Sequence, residues 1–342
     1  MANSFQTGSS VWQRAIAVAP FALWGSGMVV MKGPLANASP LFIAIMRLVP
    51  AGAIVLLAVW LLGLRNPERR VELVPKTWQA WLWIAAFALL DGTLFEGFLI
   101  EGLQDTDAGL GSVLIDTQPL AVAVMAAAFY RERINWLGWL SLLLGAVGIS
   151  AIGLATQVDP GAFQWSDVTL SSGTILMLLS ALSMAAATVM MRQISKHADP
   201  VVATGWHLFL GGLPLIVVSA LTETHQWDNL TATGWLGIGY IAFFTSALAY
   251  ALFFYCASRE NLTQFSSLTF LTPVFALGFG SVFLNESLNS VQWGGVGLTL
   301  IAVYAMHNRD RLLAWLQAPF SSLWTSGEDE TRLEPEPVEV AQ

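Results

Sequence analysis

Apolar residues in this chain occur in long runs separated by short polar connectors such as NPERR, HADP and ETHQWDN. An α-helix rises 1.5 Å per residue, so about 20 mostly apolar residues span the hydrocarbon core of a bilayer. The pattern predicts an all-α integral membrane protein with ten transmembrane helices. The predicted spans are 12–31, 40–63, 77–101, 107–130, 136–154, 169–191, 200–221, 233–257, 262–284 and 290–307.

The amino-acid composition agrees with a membrane protein. Hydrophobic residues make up 55% of the 342 residues and charged residues only 11%, whereas soluble domains carry roughly 25% charged residues. The single cysteine, Cys256, lies in an apolar run and excludes a disulfide framework or a Cys-based metal site. Nothing in the sequence indicates a nucleic-acid partner. The expected surroundings are therefore membrane lipid.

The distribution of basic residues predicts that both termini are cytoplasmic. In that orientation all but two of the fifteen Lys and Arg residues fall on the cytoplasmic side, the exceptions being Lys32 and Arg47. The expected location is the inner (plasma) membrane. Residues 308–342 are predicted to form a cytoplasmic interfacial helix and an acidic disordered tail, which accounts for most of the net charge of −8.

The second half of the chain repeats the first. A shift of 154 residues aligns Pro119 with Pro273 and Glu132 with Glu286, and upstream a shift of 160 aligns Arg47 with His207. Each repeat holds five predicted helices, an odd number, so the second must enter the membrane inverted, as in many secondary transporters. The predicted units are a first repeat at 1–154, an external connector at 155–168, a second repeat at 169–307 and the tail at 308–342.

Several motifs have a consistent order along the two repeats. They are ALWGSGMVVMK in the first span, Pro40 followed by Arg47, the prolines within SVLIDTQPLAVAV and SSLTFLTPVFALG, and Glu132 with Glu286. Across residues 12–307 this combination resembles the EamA-type members of the drug/metabolite transporter superfamily. The stretch GLGSVLIDTQPL is most similar to the branch found in cyanobacteria and plastid envelopes. The resemblance implies ten helices, cytoplasmic termini and export or exchange of small metabolites through a central cavity.

Four charged residues are predicted to lie deep within spans of the first repeat, away from the span ends: Arg47, Asp91, Glu96 and Asp116. Asp91 is expected near the midplane and Glu96 roughly 7 Å farther out. Charges at such depth are costly unless paired or hydrated, so they mark a cavity. A five-residue step turns an α-helix by about 140°, so Asp91 and Glu96 do not share a face unless the helix is distorted near Gly92 or Gly97.

Two interpretations of these charges remain open. Arg47 and one carboxylate form a purely structural pair, or the charges handle substrate or protons directly. One Arg cannot neutralise three acids, so at least one acid is expected to be protonated or exposed to cavity water. Asp91 is the predicted proton carrier, because it has no acidic counterpart in the second repeat and lies beside Gly92.

The remaining candidates are mainly aromatic. The second repeat replaces Asp91, Glu96 and Asp116 with Thr245, Tyr250 and Phe270, which predicts a pathway that is polar on one side and aromatic on the other. His207 is expected to be a satisfied core histidine or, alternatively, a proton sensor. Pro119 and Pro273 are expected to act as mid-helix kinks for gating. The full set of predicted pathway residues is Trp24, Arg47, Asp91, Glu96, Asp116, Trp206, His207, Tyr250 and Phe270.

The sequence favours a secondary transporter of a small organic metabolite that works by alternating access, as a monomer or homodimer. Sugar phosphates are disfavoured, because a phosphate site would want several cations and only Arg47 lies near the midplane. The chain lacks HExxH, GxxxxGK and Ser/His/Asp patterns, so no enzyme, metal site or cofactor is predicted. One alternative is a membrane scaffold without transport. A less favoured one is a lipid-modifying enzyme that uses Asp105 and Asp107 of the DTD turn.

Overall fold

The computed structural model describes residues 11–65, 71–105, 108–155, 171–285 and 287–316, and within these it is helical without strands. The helices are α1 (Val11–Leu35), α2 (Pro40–Arg65), α3 (Trp78–Phe87), α4 (Phe95–Gln104), α5 (Ala108–Ile115), α6 (Gln118–Tyr130), α7 (Trp136–Ala155), α8 (Ser172–Ile194), α9 (Pro200–Thr222), α10 (Ala232–Tyr240), α11 (Ala249–Ala257), α12 (Leu262–Ser266), α13 (Leu271–Leu284) and α14 (Ser290–His307). π-Helical segments join α3 to α4 (Ala88–Leu94) and α10 to α11 (Ile241–Leu248).

Within the described ranges, nine helical stretches are long and apolar enough to cross a membrane. They agree with nine of the ten predicted spans. The tenth, 290–307, is a helix, α14, that is not among the nine. The all-helical membrane architecture is therefore confirmed, whereas the count of ten spans stays a prediction. The interfacial helix is described only as far as residue 316, and the acidic tail lies outside the described residues.

Helices of the two repeats pack against one another in pairs, α2 against α9 and α7 against α14. Small residues allow the close approach. A Cβ placed on Gly52 would collide with the backbone of Phe209, and one placed on Gly148 would lie 3.0 Å from the carbonyl oxygen of Gly295. Glycine removes that obstacle, as expected where helices associate in lipid. The packing forms one bundle in which the repeats interlock.

Four of the predicted spans are interrupted where the sequence predicts one helix each. The π segments interrupt the third and eighth spans at positions that correspond under the shift of 154 residues. The fourth span breaks in a turn at 116–117, and the ninth passes through a 3₁₀ turn, Ser267–Phe270. Pro119 and Pro273 lie in the first turns of the helices that follow, α6 and α13. A proline lacks the N–H that would continue the α-helical hydrogen bonds, so the helices restart there.

Candidate functional site

A buried ion pair joins the second and third predicted spans. Arg47 in α2 places Nη1 3.3 Å from Oε1 of Glu96 in α4, and the two side chains are only 13% and 2% exposed. The Arg47 Nε also donates to the Ser246 hydroxyl at 3.4 Å. Ser246 belongs to the π segment of the second repeat, so Arg47 is held between the two halves of the protein.

A second buried pair involves Asp91, which precedes Glu96 by five residues in the same predicted span. His207 Nε2 in α9 and Asp91 Oδ2 are 2.9 Å apart, and both side chains are essentially inaccessible. The ring of Phe87 covers the imidazole at a centroid distance of 3.8 Å. His207 is thus buried, as predicted, and its partner is the carboxylate predicted to carry a proton.

The first π segment explains how acids of one predicted span reach both Arg47 and His207. In an α-helix Asp91 and Glu96 would face about 140° apart. Here the N–H of Phe95 donates to the carbonyl of Leu90, a five-residue step that is typical of a π turn. The extra residue in this turn rotates Glu96 back towards the side that carries Asp91. Asp91 therefore meets α9 and Glu96 meets α2, two helices that pack side by side.

A cavity of about 270 Å³ ends on the Arg47–Glu96 pair. Its other walls are apolar and reach the helix ends at Met31, Pro40 and Leu103. Larger cavities of about 690 and 520 Å³ lie elsewhere, one beside Arg14 and α14 and the other between residues 71–77 and 195–200. Neither of these is lined by any member of the two buried pairs. The smallest of these three cavities is therefore the one that contacts a buried ion pair.

Aromatic side chains lie beside the Asp91–His207 pair. The Tyr250 ring is 6.1 Å from His207 and 5.4 Å from Trp24, measured between centroids. The Trp24 indole donates to the carbonyl of Thr245 at 2.9 Å, within the second π segment. Five of the predicted pathway residues other than Trp24 are thus in or beside the two pairs, namely Arg47, Asp91, Glu96, His207 and Tyr250.

Three other predicted residues lie apart from these contacts. The Trp206 indole donates to the carbonyl of Leu73 at 2.7 Å, at the end of α9 near the 71–77 segment. The Phe270 ring packs against Gly145 of α7. Asp116 is buried in the turn between α5 and α6. The ion pair that the geometry shows for Arg47 is with Glu96.

Of the two acids of the DTD turn, the structure describes Asp105. Asp105 is exposed and accepts from the Ser172 hydroxyl at 3.1 Å. Asp107 lies outside the described residues.

One polar cluster was not assigned a role from the sequence. Glu132 accepts hydrogen bonds from the backbone N–H groups of Leu262 and Thr263, both at 3.2 Å, and from the Thr263 hydroxyl at 2.7 Å. Arg192 contacts the same carboxylate at 2.9 Å and also donates to the carbonyl of Glu260. The repeated Glu132/Glu286 position was the only signal of this cluster. Its geometry ties the start of α12 to α6 and α8.

Comparisons with known proteins agree with this architecture. The sequence pattern of the EamA-like transporter family matches residues 14–154 and 171–307. The chain is 47% identical over 315 residues to an uncharacterized transporter of Synechocystis sp., covering 90% of this chain and 93% of that protein. It is 41% identical over 297 residues to a chloroplastic WAT1-related protein of Arabidopsis thaliana, covering 85% and 68% respectively. A solved crystal structure shares the fold with a TM-score of 0.72 at 15% identity, covering 87% of this chain and 98% of the solved one.

Proposed function

The chain belongs to the EamA-like transporter family of the drug/metabolite transporter superfamily, and from that premise we propose that it moves a small organic metabolite by alternating access as a secondary transporter. The observation that carries the proposal is the Arg47–Glu96 pair at the floor of the 270 Å³ cavity. Charged groups at membrane depth are costly, and they typically mark a substrate or ion pathway.

The paired charges favour a solute that carries both an anionic and a cationic group, such as an amino-acid-like zwitterion. A carboxylate can replace Glu96 beside the Arg47 guanidinium, while an ammonium group takes the place of that guanidinium beside Glu96. The exchange leaves no buried charge unpaired. A strongly phosphorylated solute fits poorly, because among the side chains that the structure describes Arg47 is the one basic group that lines this cavity.

The other end of the bundle is closed by aromatic side chains, which supports a cavity open to one side at a time. Phe87, Phe253 and Phe254 pack edge to face with ring centroids 4.7 to 5.0 Å apart. Phe253 continues the cluster to Phe21 and Phe265. With both termini cytoplasmic in the plasma membrane, the cavity faces outward and the aromatic cluster seals the inner side.

The test is transport by the full chain in proteoliposomes. The protein is expected to work there as a monomer or homodimer. Labelled neutral amino acids, monocarboxylates, amines and sugar phosphates are offered as a panel, with and without unlabelled solute inside. We expect uptake or exchange of a zwitterion, a loss of at least about tenfold in Arg47→Gln, and normal rates in Arg133→Gln, which changes an exposed arginine. If no compound moved faster than into protein-free vesicles, the scaffold alternative would replace transport.

A further inference from the structure

We propose that the Asp91–His207 pair is the site that binds and releases a coupling proton, whereas the Arg47–Glu96 pair binds the solute. This inference rests on the proposed transport function and assigns it a coupling ion. The sequence did not distinguish which acids of the first repeat bind the solute and which bind the proton, and the proposal assigns these two roles to different pairs.

The hydrogen bonding of the pair is incomplete in a way that suits proton binding. Asp91 Oδ2 meets His207 Nε2, but Asp91 Oδ1 and His207 Nδ1 are buried without a hydrogen-bond partner among the described residues. Buried polar atoms in a structural pair are normally satisfied. His207 Nδ1 is the acceptor that remains when Nε2–H donates to the carboxylate, so a proton added at Nδ1 converts the imidazole to imidazolium without breaking the pair.

Charge counting shows what the proton does. Arg47 and Glu96 together carry no net charge, and Tyr250 is the other titratable group that interacts with Asp91 from the packed helices. With His207 neutral, the four-group cluster carries one net negative charge. With His207 protonated, it carries none. A buried net charge is unfavourable in a closed, dry site, so closure of the cavity favours the protonated pair.

The two repeats contribute unequally to this cluster. Asp91 lies in the first π segment and Glu96 directly after it in α4, whereas the second repeat has Thr245 and Tyr250 at the matching positions. The cluster therefore gains one charge on deprotonation and not two. We expect a single proton to be bound for each closure.

The test measures closure of the 270 Å³ cavity and does not require the solute. Cys256 is replaced by Ala, and Leu99→Cys places a reporter thiol on the wall of the 270 Å³ cavity. N-ethylmaleimide labelling of purified protein in detergent is measured from pH 5 to pH 9. Each rate is normalised to unfolded protein at the same pH, because the thiolate fraction itself rises with pH. Protection should increase as the pH falls, by up to about tenfold per pH unit around one midpoint.

Three variants distinguish the proposal from a structural pair. His207→Gln retains Asp91 and its charge, so the thiol should label rapidly at every pH. Asp91→Asn combined with His207→Gln keeps a neutral hydrogen-bonded pair, so the thiol should stay protected at every pH. The matched control is His225→Asn, which alters the exposed His225–Asp228 pair at a left-handed position that Asn tolerates.

A wild-type pH dependence that survives in the double variant would overturn the proton site, whatever the transport result. Absence of any pH dependence in the wild-type reporter would overturn it equally. By contrast, failure of every solute in the vesicle panel would remove the proposed transport function while leaving this titration readable. Folding of each variant is checked by its elution as a single species before labelling.

Discussion

Gly92 in the first π segment and Gly211 in α9 meet backbone to backbone: a Cβ added to either would lie 2.6 Å from the Cα of the other. The neighbouring Thr93 hydroxyl donates to the carbonyl of Gly211 at 2.9 Å and fixes the same contact. This approach brings Asp91 within hydrogen-bond distance of His207. The position of the buried pair thus depends on two residues that have no side chain.

Gly92→Ala and Gly211→Ala should each destabilise the protein, because the methyl group collides with backbone atoms that cannot rotate away. We expect a cost of about 1–3 kcal/mol from overpacking, seen as a lower thermal unfolding midpoint in detergent. Gly97→Ala is the matched control, since the nearest atom to its Cβ is 4.0 Å away. Equal stability of Gly92→Ala and Gly97→Ala would show that the helices can separate freely here.

Breaking the Arg47–Glu96 pair from one side should be worse than replacing both partners. Arg47→Met leaves Glu96 buried and unpaired, which costs about 3–5 kcal/mol, whereas Arg47→Met with Glu96→Leu should recover most of that loss. The double variant should nevertheless transport nothing, because the solute has no charged partner. Thermal unfolding and vesicle uptake measured on the same preparations check both statements. Transport by the double variant would exclude this pair from the solute site.

Removing the Glu132 carboxylate should loosen the start of α12. Glu132→Ala leaves the N–H groups of Leu262 and Thr263 without their acceptor and Arg192 without its ion pair, with an expected cost of about 1–2 kcal/mol. Hydrogen exchange at residues 262–266 should accelerate. Glu72→Ala is the control, because Glu72 pairs with Lys76 on the exposed surface, where such pairs contribute little. Unchanged exchange in Glu132→Ala would assign the helix start to its N-cap alone, Asn261, whose side chain accepts from the Gln264 N–H at 2.9 Å.

The orientation of the bundle is testable with thiol accessibility in intact cells, using the Cys256→Ala background. A cysteine at Val71 should be shielded from an impermeant reagent, and one at Asn229 should react, because the basic residues predict that the former is cytoplasmic. Lysis should expose the first site, which serves as its own control. The reverse pattern would invert the topology and turn the 270 Å³ cavity towards the cytoplasm.

The depth of the buried charges could be predicted from the sequence, because the apolar runs fix how far each residue lies from a helix end. Their partners could not. Asp91 and Glu96 are five residues apart, and only the π segment turns both towards the α2–α9 pair. The sequence marks Gly92 as a place where the helix could be distorted, but it does not reveal the π turn or the contact of Gly92 with Gly211 in α9.

The alignment of the two repeats indicated only some of the positions of the aromatic side chains. Tyr250 lies beside His207, as expected from its correspondence to Glu96. Phe270 corresponds to Asp116, but it lies at the end of the 3₁₀ turn before α13. Its ring packs against α7 at Gly145, which has no side chain in the way. The register fixes which residue occupies a position along the axis. The direction of its side chain depends on the local turn, which the shifted sequence does not reveal.

The unequal distribution of acids between the two π segments has a consequence for inhibition. A duplicated scaffold with matching halves would offer the same recognition surface from either membrane face. Here the charged half and the aromatic half differ in chemistry, so under the proposed alternating access the outward-open and inward-open forms present dissimilar surfaces to a small molecule. A blocking compound matched to the Arg47–Glu96 floor would therefore act from one face of the membrane only, and its sidedness would report which form prevails at rest.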